Sequence, residues 1–551
     1  MTVARAVRCR ALLVAGLLAL LVSAGMASAS ADSASAGGDI SVAQSLGDRE
    51  LTVVLRRVTS VPGPLRVDVV THAGTAAGQL TIAATPMGAV RDLSAPGAPT
   101  AEAVVELDGT PGMYSTTLDM DRPGPWELAI GDGVRVARIP FVVPAQVTSP
   151  PERLVYGGFL VAGVLLPVSV SVAMRARRTA WALLPAGGMV AGVAVSVTAA
   201  LLSVSLPLPP QPGSQLDPTV HNVTDPYSLN QPMISDYSRP PVLLTVEGSA
   251  VAGRGSDFDL VLIDAATGAL ADDIVVHDSA FVHLLVVGPN GGLSHLHPIR
   301  TGPGRYQVHL TASQPGRYAL SAELARRGGG VQMIRAATGV EVAPSDVVPQ
   351  PTREPLQLGG TGKSASMVLD GSAITVRTTE AVVGKPTTIT AEVGDTSDLQ
   401  PWLGMVGHLV MAGPVPEGSV DIAAAVQNSP VWGHAHSMGP NSMHDMQGMS
   451  GGHDMSGMKG PHDMPGMSGA HDTSGTGGIP DLPGAGRGVM LMPPANGESP
   501  PDETVAAFGP DVPFTFTFPV AGRYRLWIQV ERNYTVLTVP VVLDVAAGAR
   551  R

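Results

Sequence analysis

The residues best suited to chemistry are the histidines and methionines crowded between His434 and His471, a stretch holding 6 of the 14 histidines and 8 of the 22 methionines. His444-Asp445-Met446-Gln447-Gly448-Met449 recurs as His453-Asp454-Met455-Ser456-Gly457-Met458 and His462-Asp463-Met464-Pro465-Gly466-Met467. A fourth unit at His471-Asp472 keeps the pair and replaces both methionines with threonine. Methionine used as core filler sits among Leu, Val and Phe, and this stretch has none of them and abounds in Gly, Ser and Asp. It therefore predicts a mobile or disordered insertion, over 437–507, because so few apolar contacts cannot offset the entropy of ordering it. Thioether sulfur is a soft donor that prefers Cu(I) or Ag(I), while imidazole also accepts Cu(II) and Zn(II). The candidate metal ligands here are His434, His436, Met438, Met443, His444, Met446, Met449, His453, Met455, Met458, His462, Met464, Met467 and His471. Copper, as Cu(I) and also Cu(II), uses both donor types; Zn or Ni would leave the methionines idle.

A second pattern is rarer and ordered. His283 lies in the strand-like run Phe281 to Val287 and is followed by His295-Leu296-His297; His408 lies in Gly407 to Met411 and is followed by His434-Ala435-His436. Histidines one residue apart on an extended segment point to one side, and a neighbouring strand can bring the third ring beside them. Three imidazoles around one point suit Cu(II), Zn(II) or Ni(II). Duplicated core packing is the competing explanation. His72, His221, His277 and His309 stand alone and read as structural.

The elements that must position these groups are strands. Trp126 to Ile130, Gly131-Asp132-Gly133 and the run from Val134 read as strand, turn and returning strand. Gly112-Met113-Tyr114 leads to Pro123-Gly124-Pro125-Trp126, and Gly304-Arg305-Tyr306 leads to Pro315-Gly316-Arg317-Tyr318; a looser third copy runs from Phe516 to Tyr524. The reading is mainly β: three immunoglobulin-like antiparallel sandwiches over 39–147, 240–345 and 365–547. Pro-rich spacers follow at 207–239 and 344–355.

Two apolar runs, 154–174 and 181–206, are each long enough to cross a bilayer as a helix. They predict a transmembrane hairpin between the first and second sandwiches. Arg175, Arg177 and Arg178 between the runs belong in the cytoplasm by the positive-inside rule. A basic start, the apolar run Ala11 to Gly25 and Ala29-Ser30-Ala31 read as a secretion signal over 1–31, which puts both large regions on the outer side. The only cysteine, Cys9, would leave with the signal. That excludes disulfides, thiolate metal sites and copper sites built on a cysteine sulfur. The net charge of −12 with three lysines excludes a nucleic-acid partner.

The runs from His283 to Val287, His295-Leu296-His297-Pro298 and Pro315-Gly316-Arg317-Tyr318 resemble a family of secreted or membrane-attached bacterial immunoglobulin-like proteins. Region 39–147, with Pro123-Gly124-Pro125-Trp126 and Ile139 to Val143, resembles YtkA-like domains, which are similar in fold to CopC-like copper-binding proteins. The resemblance implies copper handling outside the cytoplasm and no enzymatic activity. The leading expectation is a membrane-anchored copper-binding protein for tolerance, scavenging or delivery to a copper transporter, oxidase or other acceptor. The alternative is a surface interaction or assembly protein whose Met/His tract is a passive linker.

Overall fold

The computed structural model describes residues 39–143, 150–175, 179–203, 239–346, 353–437 and 502–548, apart from 57, 59–60, 88–98 and 328–329. The expected signal, the 207–239 spacer up to residue 238 and candidate ligands Met438 to His471 lie outside the described residues.

The chain is mainly β, with immunoglobulin-like sandwiches of largely antiparallel sheets and two apolar helices between the first sandwich and the second. In the first, Ile40–Leu46, Arg49–Leu55, Gly63–Thr71 and Gly112–Met120 form one sheet in that order. The other runs Ala101–Leu107, Gly78–Pro86, Gly124–Gly131, Val136–Val143. The same order returns twice. Leu293–Leu296, Val282–Val287, Gly316–Arg326 and Val340–Ala343 are neighbours in the second sandwich, and Val431–Ser437, Gly407–Gly413, Gly522–Arg532 and Thr535–Val545 in the third. The third sandwich also uses Leu356–Gly359, paired parallel with Val541 to Asp544, which lies ahead of the expected limit at 365.

The strands Val282–Val287 and Gly407–Gly413 are buried on both faces, and their period of two divides each between two cores. Val282, Leu284 and Val286 face the core of the second sandwich, as Leu409 and Met411 face that of the third. Leu285 and Val287 point the other way and pack with Val410, Ala412 and Trp527 across the contact between the two sandwiches. The short helix Ile422–Gln427, capped by the Asp421 side chain, adds Ile422 and Val426 to this apolar contact. The first sandwich closes the third side, where Ala43 meets Ala280, Trp402 and Leu403.

The helices are Pro150–Arg175 (α1) and, after a 3-10 turn at Thr179–Ala182, Leu183–Ser203 (α2). Both are long and apolar enough to span a bilayer. They cross closely because small residues meet: a Cβ at Gly192 would lie 2.7 Å from the carbonyl oxygen of Gly158, and the Ser196 hydroxyl donates to the Val155 carbonyl at 2.8 Å. Leu160, Leu184 and Leu201 stand about 70% exposed, as lipid-facing side chains do.

Trp527 is buried at the contact between the second and third sandwiches, and its indole Nε1–H donates to the Gly291 carbonyl at 2.9 Å. Replacing it with alanine removes a large ring and orphans that carbonyl. Trp527→Ala is expected to cost about 3–5 kcal/mol, read as a lower midpoint in denaturant unfolding of the detergent-solubilised chain.

Candidate metal centre

The face-to-face contact that buries Leu285 against Val410 also carries the histidines. His283 and His408 occupy the same outward-facing row of their strands as Leu285 and Val410. Register then brings the paired strand alongside: Leu285 lies opposite His295, His408 opposite His436, and Val410 opposite His434. The two groups His283, His295, His297 and His408, His434, His436 each bring a ring nitrogen apiece within 4.8 Å of one another. They also adjoin. His434 lies 5.4 Å from His283 and 5.1 Å from His295 between ring centroids, and His408 lies 5.8 Å from His295. The expected triplets thus come together, and beyond that expectation they form one patch of six rings shared by two sandwiches.

Fixed partners set the protons on these rings. The Nε2 of His283 donates to the His277 carbonyl at 3.1 Å, and the Nε2 of His408 donates to the Trp402 carbonyl at 3.0 Å. A carbonyl only accepts, so each neutral ring keeps a bare Nδ1 facing inward. These nitrogens stand 3.2 Å from the Nε2 of His295 and of His434 respectively. The other nitrogen of His295 lies 2.9 Å from the Gln529 side-chain oxygen, and that of His434 lies 3.4 Å from a Glu323 carboxylate oxygen. Gln529 accepts, so in the first pair two protons serve two outer acceptors and two lone pairs are left facing each other at 3.2 Å. In the second pair the Nδ1 of His434 makes no hydrogen bond, and its Nε2 lies 3.2 Å from the bare Nδ1 of His408. A cation shared within a pair would engage both facing nitrogens. An ion about 2.0 Å from both nitrogens would see them roughly 105° apart, close to a tetrahedral angle.

The anchoring is reciprocal. Gln529 belongs to the third sandwich and orients His295 of the second; Glu323 belongs to the second and lies beside His434 of the third. Glu323 and Gln529 are themselves equivalent, lying opposite His283 and His408 in their sheets. The last ring of each group points its Nδ1 at a carboxylate: His297 at Glu50 of the first sandwich, and His436 at Asp278, 3.4 Å away. Their Nε2 atoms are buried without a hydrogen-bond partner. Carboxylates behind metal-bound imidazoles orient the ring and raise its basicity.

Strain marks the two turns that carry the accepting carbonyls. Between His277 and Ala280 the backbone passes through Asp278 (φ 47°) and Ser279 (φ 60°), and between Trp402 and Met405 through Leu403 (φ 56°) and Gly404 (φ 76°). Positive φ is costly for a residue as bulky as leucine, and such strain collects where geometry is functional.

Burial, reinforced by the charge that neighbouring imidazoles would carry, pushes His283, His295 and His408 well below the usual histidine range, and His436 down to about 4. These four rings therefore resist taking up a second proton. The surrounding carboxylates move the other way. Burial alone would raise them, but hydrogen bonds from His277 and charge from the rings hold Asp278 at about 2 and Glu323 below the usual carboxylate range. His277, whose burial is outweighed by Asp278 and Glu323, is pushed up to about 10. The result is a nitrogen-rich patch ringed by carboxylates.

Two histidines expected to be merely structural lie near this ring. His277, Asp278 and Glu323 form a third compact group of ionisable side chains. His72 contacts Glu531 where the first sandwich meets the third, and against its burial that carboxylate raises it to about 9. His309 packs against Asp257 and Arg135 away from the rings. The residues missed by sequence reasoning, Glu50, Asp278, Glu323 and Gln529, carried one usable signal. Glu323 and Gln529 each follow the repeated aromatic residues Tyr318 and Tyr524 by five positions.

A family model described as a domain of unknown function, DUF8832, matches residues 498–547. No curated protein matches the chain. Among solved structures, dimeric latent PorU from Porphyromonas gingivalis is similar at 7% identity and a TM-score of 0.14, covering 92% of this chain and 33% of its own. A membrane anchored protein from Corynebacterium diphtheriae shares 9% identity over 91% of this chain and 92% of its own, with a TM-score of 0.14. The Escherichia coli adhesin FdeC shares 12% identity over 93% and 99%, with a TM-score of 0.13. This chain spans about a third of PorU, and likenesses at these scores carry no inference about what it does.

The depressed histidines fix a pH dependence. A ring whose folded pKa lies below its unfolded value of about 6.5 stabilises the fold fully above that value and progressively less as pH falls. His277 is shifted upward, so its contribution is complete below pH 6.5 and does not change there. Without added metal, thermal stability is expected to fall between pH 6.5 and 4.5. His436→Gln should flatten that slope, as followed by calorimetry across the range.

Proposed function

We propose that this chain is a membrane-tethered, extracytoplasmic copper-binding protein, non-enzymatic, serving copper tolerance, scavenging or delivery to a copper transporter, oxidase or other acceptor. The observation that carries the reading is the pair of buried nitrogen–nitrogen contacts at 3.2 Å, each made by a ring whose own proton is committed to a backbone carbonyl and whose bare Nδ1 faces a second imidazole. Nitrogen donors alone suit Zn(II) or Ni(II) as well as Cu(II). Copper is favoured by what adjoins them in the sequence. The methionine- and histidine-rich segment begins directly after Ser437, the residue that follows ligand candidate His436, and soft sulfur beside imidazole serves a metal that changes between Cu(I) and Cu(II). In this reading the ordered rings hold the ion and the repeats between Met438 and His471 capture or release it. Two apolar helices with the dimensions of membrane spans keep the assembly at a bilayer surface.

The test compares the full chain in detergent with two variants, a deletion of 438–472 and the double substitution His283→Ala with His408→Ala. Copper content after dialysis is measured separately under oxidising and reducing conditions. The deletion is expected to lose most Cu(I) capacity and keep Cu(II), and the double substitution to lose Cu(II) by at least tenfold. At pH 5 the full chain should still retain Cu(II), because the buried rings resist protonation. Equal copper content in all three chains would remove the metal role. The histidines would then serve only to join sandwiches in a surface interaction protein.

A further inference from the structure

We propose that the six rings hold two copper ions as a coupled pair joined by one small bridging ligand such as hydroxide, instead of two independent sites. The inference rests on the copper reading above and goes beyond it in number, spacing and electronic state. Its basis is that no layer separates the groups. Within them, neighbouring ring centroids lie 4.3 to 5.4 Å apart. Across them, the separations of 5.1, 5.4 and 5.8 Å are nearly the same. His295 contacts both rings of its own group and also His408 and His434 of the other.

The ligand count leads to the same place. Each group offers three nitrogens, which leaves a four-coordinate ion one donor short. The nearby carboxylates are already engaged: Glu50 contacts His297, Asp278 contacts His277 and His436, and Glu323 contacts His277 and His434. Adjacent ions that each lack a fourth donor can share one ligand when they lie about 3.5–4 Å apart, the usual spacing of two-metal sites. The protein supplies matched halves. Each group has one ring fixed by a carbonyl six residues earlier in the chain, one placed against an acceptor of the other sandwich, and one turned toward a carboxylate. Equivalent donors favour two ions of one kind in one oxidation state. Two Cu(II) ions bridged by a single oxygen couple their unpaired spins, so the loaded pair gives little or no paramagnetic signal.

The test uses the full chain in detergent with the four repeat histidines replaced, His444→Ala, His453→Ala, His462→Ala and His471→Ala, so that Cu(II) bound elsewhere does not confuse the count. After loading with Cu(II) and desalting, copper per chain is measured together with the integrated electron paramagnetic resonance signal. Two coppers per chain with an integrated signal below a tenth of the copper present is the expected result. Adding His297→Ala or, separately, His436→Ala should leave one copper per chain and restore its full signal. Either variant suffices if the other fails to fold. One copper per chain in the unbroken centre, or two with full signal, would overturn the pairing and leave copper binding intact. No retained copper would overturn both.

Discussion

Six buried imidazoles pack against one another where two sandwiches meet. Each central pair holds one ring whose proton is committed to a backbone carbonyl, and its bare Nδ1 faces the second ring at 3.2 Å. Burying polar atoms without a partner is costly, and His297 Nε2, His434 Nδ1 and His436 Nε2 are all buried in that state. Much of the surrounding structure is arranged around these rings. The left-handed turns at Asp278 and Leu403 place the accepting carbonyls. Glu50, Asp278 and Glu323 supply negative charge around the rings, and the apolar wall of Leu285, Val410 and Trp527 holds the two sandwiches in register beside them.

Reciprocity between sandwiches explains why neither forms the centre alone. The second lends Glu323 and Asp278 to rings of the third, and the third lends Gln529 to a ring of the second. The first sandwich has no HxH pair, yet it contributes Glu50 and a backbone seam in which the Ser45 amide donates to the His297 carbonyl at 2.8 Å and the His297 amide donates to the Ser45 hydroxyl at 2.9 Å. The copy without the histidine triplet has become the cover of the copies that have one. Apolar helices α1 and α2 separate that cover from the six histidines in sequence.

Much of the fold was legible because its signals are local. Aromatic strands opened by Pro-Gly or Ala-Gly turns, a Gly-rich hairpin after Ile130 and two uncharged runs of membrane length all report on neighbouring residues. The membership of each histidine triplet was legible for the same reason, since a period of two places His295 and His297 together. Their union was not. Alternation says which side of a strand a residue occupies and nothing about what packs there, and Val282 to Val287 is apolar on both faces apart from His283. The turn at His277 was likewise hidden: a lone histidine looks structural until its carbonyl is found fixing another ring. Trp402, its counterpart in the third sandwich, gives no chemical hint at all, because it acts through its backbone.

The partners of the centre are far apart along the chain. Glu50 and His297 are separated by 247 residues, and His295 and Gln529 by 234. The strand carrying Gln529 leaves the ribosome after all six of these histidines, and domains generally fold in the order they are made. A growing polypeptide thus has its first histidines before the side chain that orients them, and the nest of rings cannot be completed until the third sandwich has been made. Biosynthesis itself postpones the closing of the cage.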